Sequence, residues 1–216
     1  MSGQVLLTPQ GLLEGLRVLA ERDPDLRQIW EDLGQPPMWA REPGFPALIH
    51  IILQQQVSLA SAQAAYDRLL AAASPLTPDR FLELGDEQLK AIGFSRQKTE
   101  YGRVLAQALV EGHLNLDTLE SMDDGAVRME LTQLKGIGPW TADIYLLMAL
   151  LRPDIWPSGD LALAIAVQRL KGLTTRPTLE ELDAIGEKWR PWRAIAARLL
   201  WHYYLSSLVG KSSQSM

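Results

Sequence analysis

The sequence contains no cysteine among its 216 residues. That absence excludes disulfides, and with them a thiolate-held zinc ion or iron–sulfur cluster. Histidine is scarce as well. His50, His113 and His202 stand apart, without the spacing that puts two rings on one helical face, so no metal ligand is assigned among them. Positive charge is in deficit: 21 Lys and Arg against 26 Asp and Glu leave a net charge of −5. Such a bulk charge repels a polyanion, so a nucleic-acid partner would require cations gathered on one face. Arg96, Lys98, Arg103, Lys135, Arg190 and Arg193 are the residues that would have to gather. Long apolar runs are missing too, since no stretch approaches the ~20 residues of a membrane span. The opening MSGQVLLTPQ has neither a basic start nor a long apolar core, so no secretory signal is read there. The expectation is a cytoplasmic monomer with no membrane attachment.

What the sequence does hold is helical punctuation. Thr8-Pro9, Asp23-Pro24 and Thr77-Pro78 each pair a capping side chain with proline at the first helical position. Ser58 and Ser95 read as further caps, and Gly93 as a helix stop. Between these signals the apolar spacing predicts helices over 10–21, 26–33, 45–56, 59–73, 79–84, 87–92 and 96–111. Further helices are expected from 123 or 124 to 134 and over 139–151, 160–170, 179–189 and 192–209. No period-2 strand survives, so the fold class is all-α. The hydrophobic content of 47% and the length allow one substantial core or two small lobes sharing one. The polar tail, 211–216, is expected to be mobile. Tyr203, Tyr204 and Trp201 read as core residues of the last helix.

The segment Leu134-Lys135-Gly136-Ile137-Gly138-Pro139-Trp140-Thr141-Ala142-Asp143 joins two of the predicted helices. A Gly-hydrophobic-Gly turn makes a compact hairpin whose outward N–H groups, backed by a helix N-terminus, suit a phosphate oxygen. Seventeen residues after Asp143, Trp156-Pro157-Ser158-Gly159-Asp160 brings a second acid to the start of an apolar helical run. Taken alone, Asp160 reads as an N-cap.

These elements, with Ile51–Ser58 (IILQQQVS), Gly93–Tyr101 (GFSRQKTEY) and Pro191-Trp192-Arg193, occur in an order that resembles the helix-hairpin-helix DNA glycosylase superfamily. Within it the chain looks most like the 3-methyladenine DNA glycosylase II family, over roughly Phe45 to Tyr204. The resemblance implies a single glycosylase domain over 1–216, with the hairpin at about 123–151 and two helical lobes bordering an active-site cleft. It implies a base-excision repair enzyme acting on double-stranded DNA that contains alkylated bases, 3-methyladenine and 7-methylguanine among them. Asp160 matches the catalytic aspartate, which stabilises an oxocarbenium-like sugar and orients water. Lys135, Gly136, Ile137, Gly138, Trp140 and Thr141 fall at the positions that bind the DNA backbone. The carbonyls of Thr132, Leu134 and Ile137 fall where a structural Na⁺ or K⁺ would bridge to the phosphate; no other cofactor is implied.

Trp140 and Trp192 match positions bordering the base pocket, where Trp140 could stack on a cationic flipped base. Gln55 and Gln56 match the intercalating wedge. Lys98 and Tyr101 match a family segment with a structural role, with a phosphate contact from Lys98 as the alternative. Bifunctional relatives carry a lysine nucleophile where this chain has Trp140, so the resemblance implies a monofunctional enzyme without lyase chemistry. Two other functions stay open: a non-enzymatic helix-hairpin-helix DNA-binding module, and a glycosylase for another damaged or mismatched base.

Overall fold

The computed structural model describes the backbone of residues 6–213 and side chains as far as Leu208. Its helices are α1 (Pro9–Arg22), α2 (Pro24–Leu33), α3 (Phe45–Gln54), α4 (Leu59–Ala72), α5 (Pro78–Glu83), α6 (Asp86–Ile92) and α7 (Arg96–Val110). They continue with α8 (Leu116–Leu119), α9 (Asp124–Thr132), α10 (Pro139–Met148), α11 (Leu161–Leu170), α12 (Leu179–Glu187) and α13 (Arg193–Ser213). No strand occurs among the described residues. The protein is all-α.

The punctuation works as chemistry. Thr8, Asp23, Ser58, Thr77 and Ser95 each accept an N–H from the first turn that follows them. Gly93 stops α6 in the left-handed conformation, φ +117°. Three differences from the sequence reading stand out. The short helix α8 was not anticipated; Asn115 starts it by accepting the Asp117 N–H at 3.0 Å. Helix α3 ends at Gln54, two residues early, because Gln55 turns to ψ 123° and Gln56 to φ +56°. Helix α13 runs on to Ser213, into the segment expected to be a tail; 214–216 lie outside the described residues.

Two compact units account for the chain. The first, Arg41–Leu150, holds α3 to α10. Its α3 packs on α4, α7 and α10, which is why almost every α3 side chain from Phe45 to Leu53 is buried. Tyr145 of α10 is fully enclosed there and its hydroxyl accepts the Gly44 N–H at 3.1 Å. Burial pushes the Tyr145 phenol up to about 12.

The second unit joins residues 6–40 to the chain after Leu150, and so holds α1, α2, α11, α12 and α13. Helix α13 packs on α1, α2 and α11. A close approach at Gly15 makes this possible, since a Cβ there would overlap Ile195 and come within 3.1 Å of the Trp192 ring. Arg198 lies fully buried on α13, where its Nε donates to the Met38 carbonyl at 2.9 Å. Burial brings that guanidinium down to about 10.

Candidate functional site

In the first unit, α9 and α10 form the hairpin read from the sequence. Asp123 caps α9 by accepting the Ala126 N–H at 2.9 Å. Gly136 takes φ +98° and lies against Tyr101, whose ring a Cβ at that position would overlap. This explains the Gly93–Tyr101 element: Ser95 starts α7, and Tyr101, in its second turn, forms the floor under the hairpin. Gly138 is different. It caps α10 without any side-chain hydrogen bond, it is exposed, and a Cβ there would meet nothing within 4 Å. A helix N-terminus capped by an open glycine leaves room for an anion to approach the first turn.

Not every expected backbone-binding residue faces outward. Ile137 plugs the turn from inside, and its N–H donates to the Leu134 carbonyl at 3.1 Å. That N–H therefore does not serve a phosphate. Thr141 is only 2% exposed and its hydroxyl accepts from Gln55 Nε2 at 3.0 Å, so its side chain is no phosphate contact either. Lys135 is exposed at the turn and pairs with Glu100 at 2.5 Å; that hydrogen bond raises the Lys135 pKa. Trp140, half-buried, is the second residue of α10. The carbonyls of Thr132, Leu134 and Ile137 are neutral oxygen donors, a set that suits Na⁺ or K⁺ in kind. One lone pair of the Leu134 oxygen is already taken by Ile137. Among the described residues no cluster of three or more His, Asp or Glu side chains could hold a metal ion.

The three glutamines after α3 divide their duties. Gln54 Oε1 accepts from Arg41 Nη2 at 3.1 Å. Gln55 points inward, donating to the Gly136 carbonyl at 2.9 Å as well as to Thr141. Gln56 alone projects outward, in the left-handed conformation, followed by exposed Val57 and Leu59. The pairing of Gln55 with Gln56 as wedge residues is thus corrected: an amide held by two hydrogen bonds inside the fold cannot enter a base stack. Lys98 takes the structural role of the two read for it: its Nζ donates to the Leu53 carbonyl at 2.7 Å, closing the end of α3, and partial burial lowers its pKa.

In the second unit, Asp160 is the N-cap of α11. Its Oδ1 accepts the Leu163 N–H at 2.8 Å and the Trp201 indole N–H at 3.0 Å. The loop leading to it is tied down at both ends. Trp156 is buried, donates to the Leu182 carbonyl at 3.1 Å and meets Trp189 edge-on at 5.2 Å. Arg193 grips Asp154 through Nε at 2.8 Å and Nη2 at 3.0 Å, and reaches Glu187 at 2.9 Å. The Pro-Trp-Arg element therefore positions the segment that carries Asp160.

Two aromatic residues acquire specific partners. Trp201, read as core, is only 8% exposed but spends its indole N–H on Asp160 and packs edge-on against Trp39. A tryptophan on an apolar helical stripe gives no sign in sequence of where its one polar atom goes. Trp192, for which both packing and a place at the border of the base pocket are open in the sequence, packs on Gly15 of α1.

The cations expected to gather are mostly engaged within the protein. Arg103 pairs with Asp86 at 2.6 Å, Arg190 with Asp154 and Glu187, each at 2.7 Å, and Arg193 with the same two acids. Arg96 is exposed at the start of α7.

A family model described as HhH-GPD superfamily base excision DNA repair protein matches residues 49–191, which span both the hairpin and Asp160. The chain belongs to this superfamily. Its HhH-GPD segment begins in α3 and ends at Pro191, so the Trp201 partner of Asp160 lies beyond it. Among HhH-GPD relatives, the chain is 29% identical over 168 residues to DNA-3-methyladenine glycosylase 1 of Schizosaccharomyces pombe, covering 76% of this chain and 73% of that protein. It is 27% identical over 169 residues to a DNA-3-methyladenine glycosylase of Bacillus subtilis, covering 73% of this chain and 56% of the relative. The chain also spans 64% of the length of the Bacillus subtilis protein YfjP. Among solved structures, the S. pombe 3-methyladenine DNA glycosylase Mag1 in complex with abasic DNA superposes with a TM-score of 0.83. That match has 26% identity and covers 87% of this chain and 95% of Mag1.

Proposed function

We propose that the protein is a monofunctional DNA glycosylase that flips an alkylated purine out of duplex DNA and hydrolyses its N-glycosidic bond. The observation that carries the reading is Asp160: a carboxylate fixed at a helix N-terminus by Leu163 and Trp201, seventeen residues downstream of Asp143 in the second helix of a helix-hairpin-helix motif. A preorganised anion is what a developing oxocarbenium ion requires, because no dipole has to reorient as the positive charge appears on the sugar. The same carboxylate orients the attacking water. The base leaves as the free purine, the sugar C1′ gains the water oxygen, and an abasic site remains. N-alkylation at N3 or N7 already makes the purine a cation and a good leaving group, so a second acid is not needed. 3-Methyladenine and 7-methylguanine are the proposed substrates.

The roles of the other residues follow from what each presents. Gly136 and Gly138 admit a phosphate to the N-terminus of α10, with Lys135 exchanging Glu100 for phosphate. Na⁺ or K⁺ on the carbonyls of Thr132, Leu134 and Ile137 would add positive charge next to that phosphate. Gln56, flanked by exposed Val57 and Leu59, fills the gap left by the flipped nucleotide. A damaged, weakly paired base costs least to extrude, which supplies part of the selectivity. The ring of Trp140 stacks on the cationic purine. The proposed partner is duplex DNA, bound by a monomer.

The test is single-turnover release of bases from methylated duplex DNA by wild type and by Asp160→Asn. Asparagine caps helices as well as aspartate does, and its carbonyl can still accept from Leu163 and Trp201, so the fold is kept while the charge is lost. Release of 3-methyladenine should fall on the order of 10²–10³-fold, with DNA binding retained. Equal release from both proteins would remove Asp160 from the mechanism. No release from either would leave a DNA-binding module.

A further inference from the structure

Gln55 is the residue whose place in the fold is least explained by its neighbours in sequence. It sits between Gln54, which serves Arg41, and Gln56, which faces solvent, yet its amide reaches across to the hairpin 81 and 86 residues away. Its Nε2 donates one hydrogen to the Gly136 carbonyl at 2.9 Å and one to Thr141 Oγ1 at 3.0 Å. The orientation is forced by chemistry. A backbone carbonyl only accepts, so the nitrogen and not the oxygen of the amide must face Gly136.

These two partners bracket the turn. Gly136 stands on its entry side, in a left-handed conformation that directs its carbonyl toward Gln55, and Thr141 stands in the first turn of α10 on its exit side. Between them lies Gly138, the open cap. Gln55, through its own backbone, ends α3 and starts the bend that throws Gln56 outward at φ +56°. Lys98 closes the last turn of α3 from below by donating to Leu53, so the base of the bend has no slack.

We infer that Gln55 is a positioning residue that locks the Gln56 loop to the phosphate-binding hairpin, so that gripping the backbone and inserting Gln56 into the base stack are a single event. This rests on the roles proposed above for Gln56 and the hairpin. Without the lock, each part keeps its chemistry but the insertion must be ordered separately, at a cost in conformational freedom. Duplex DNA, whose stack has to be opened, would feel the loss. Single-stranded DNA, which has no stack to open, would be held by the hairpin as before.

The experiment compares wild type with Gln55→Leu, which removes both donors and leaves an apolar side chain one heavy atom shorter. Affinity is measured for a duplex and for a single strand, each carrying a stable abasic-site analogue beside 2-aminopurine, whose fluorescence rises when it unstacks. Gln55→Leu should bind the duplex about tenfold more weakly, the cost of ordering the freed loop on binding, and should lose most of the fluorescence rise. Its single-strand affinity should move by less than about twofold. Thr141→Val, which removes one acceptor and keeps the shape, should lie between the two proteins and guards against a variant that fails to fold. An equal loss on both DNAs would mean that Gln55 merely holds the fold together, and no loss on either would mean that it positions nothing. Both results overturn the proposal. A wild-type protein that binds the duplex without unstacking 2-aminopurine would instead sink the wedge role of Gln56, before any variant is compared.

Discussion

Trp201 donates its indole N–H to Asp160 Oδ1 at 3.0 Å, joining α13 to the first turn of α11. The same oxygen accepts the Leu163 N–H, so one carboxylate oxygen is fixed from two directions. Trp201→Phe keeps an aromatic ring and removes the donor. A hydrogen bond to a charged group is worth about 1.5–3 kcal/mol. Single-turnover base release should fall by about tenfold or more, with binding to abasic DNA unchanged. An unaltered rate would show that Leu163 alone holds the acid.

Gly136 and Gly138 should respond differently to the same substitution. Gly136→Ala combines a left-handed φ with overlap against Tyr101, and should destabilise the protein by about 2–4 kcal/mol. Gly138→Ala meets open space at φ −90°, an ordinary value for any residue. Its urea midpoint should therefore match wild type while its affinity for abasic-site duplex drops several-fold, the new methyl standing where the phosphate approaches. Equal destabilisation by both variants would contradict the packing described for the turn.

Stability should depend on pH through His50. Its ring stacks on Tyr66 at 4.1 Å, and burial, reinforced by Arg41, lowers its pKa from 6.5 to about 4. A depressed pKa means that the unfolded chain binds the proton more readily than the folded one. The stabilisation is therefore complete above about pH 6.5 and is lost as pH falls toward 4. Urea unfolding between pH 4 and 7 should trace a loss of about 1–2 kcal/mol, the shift being discounted for the partial exposure of the ring. His50→Gln should flatten this part of the curve; an unchanged slope would assign it to other groups.

Trp140 bears on the chemistry that follows base release. With an indole at this position there is no amine here to attack the sugar. Borohydride treatment of the protein with abasic or methylated DNA should trap no covalent adduct. A trapped band would refute the monofunctional reading and send the search to another lysine.

Much of the fold could be read in advance because its signals are local. A capping side chain, a proline at the first helical position or a stopping glycine acts within one turn of itself, and Thr8-Pro9, Asp23-Pro24, Ser95 and Gly93 do what their types predict. The cap at Asp160 was likewise legible from its neighbours in sequence. What escaped depends on partners far along the chain. The inward turn of Gln55 needs Gly136, the polar duty of Trp201 needs Asp160, and the packing of Trp192 needs Gly15. The cations near the motifs were read as a surface for DNA, while their acids at Asp86, Asp154 and Glu187 were invisible as partners.

Those internal ion pairs bear on how such a protein would travel. Each lysine or arginine that neutralises a phosphate releases a condensed counterion, and the number released sets how steeply affinity falls with salt. Here Arg103, Arg190 and Arg193 are already matched by carboxylates of the protein itself. On the proposed function, undamaged DNA would offer them little that they lack, so the grip on it would be light and dissociation frequent. The genome would be sampled in short visits, with prolonged residence reserved for a site where a base yields to Gln56.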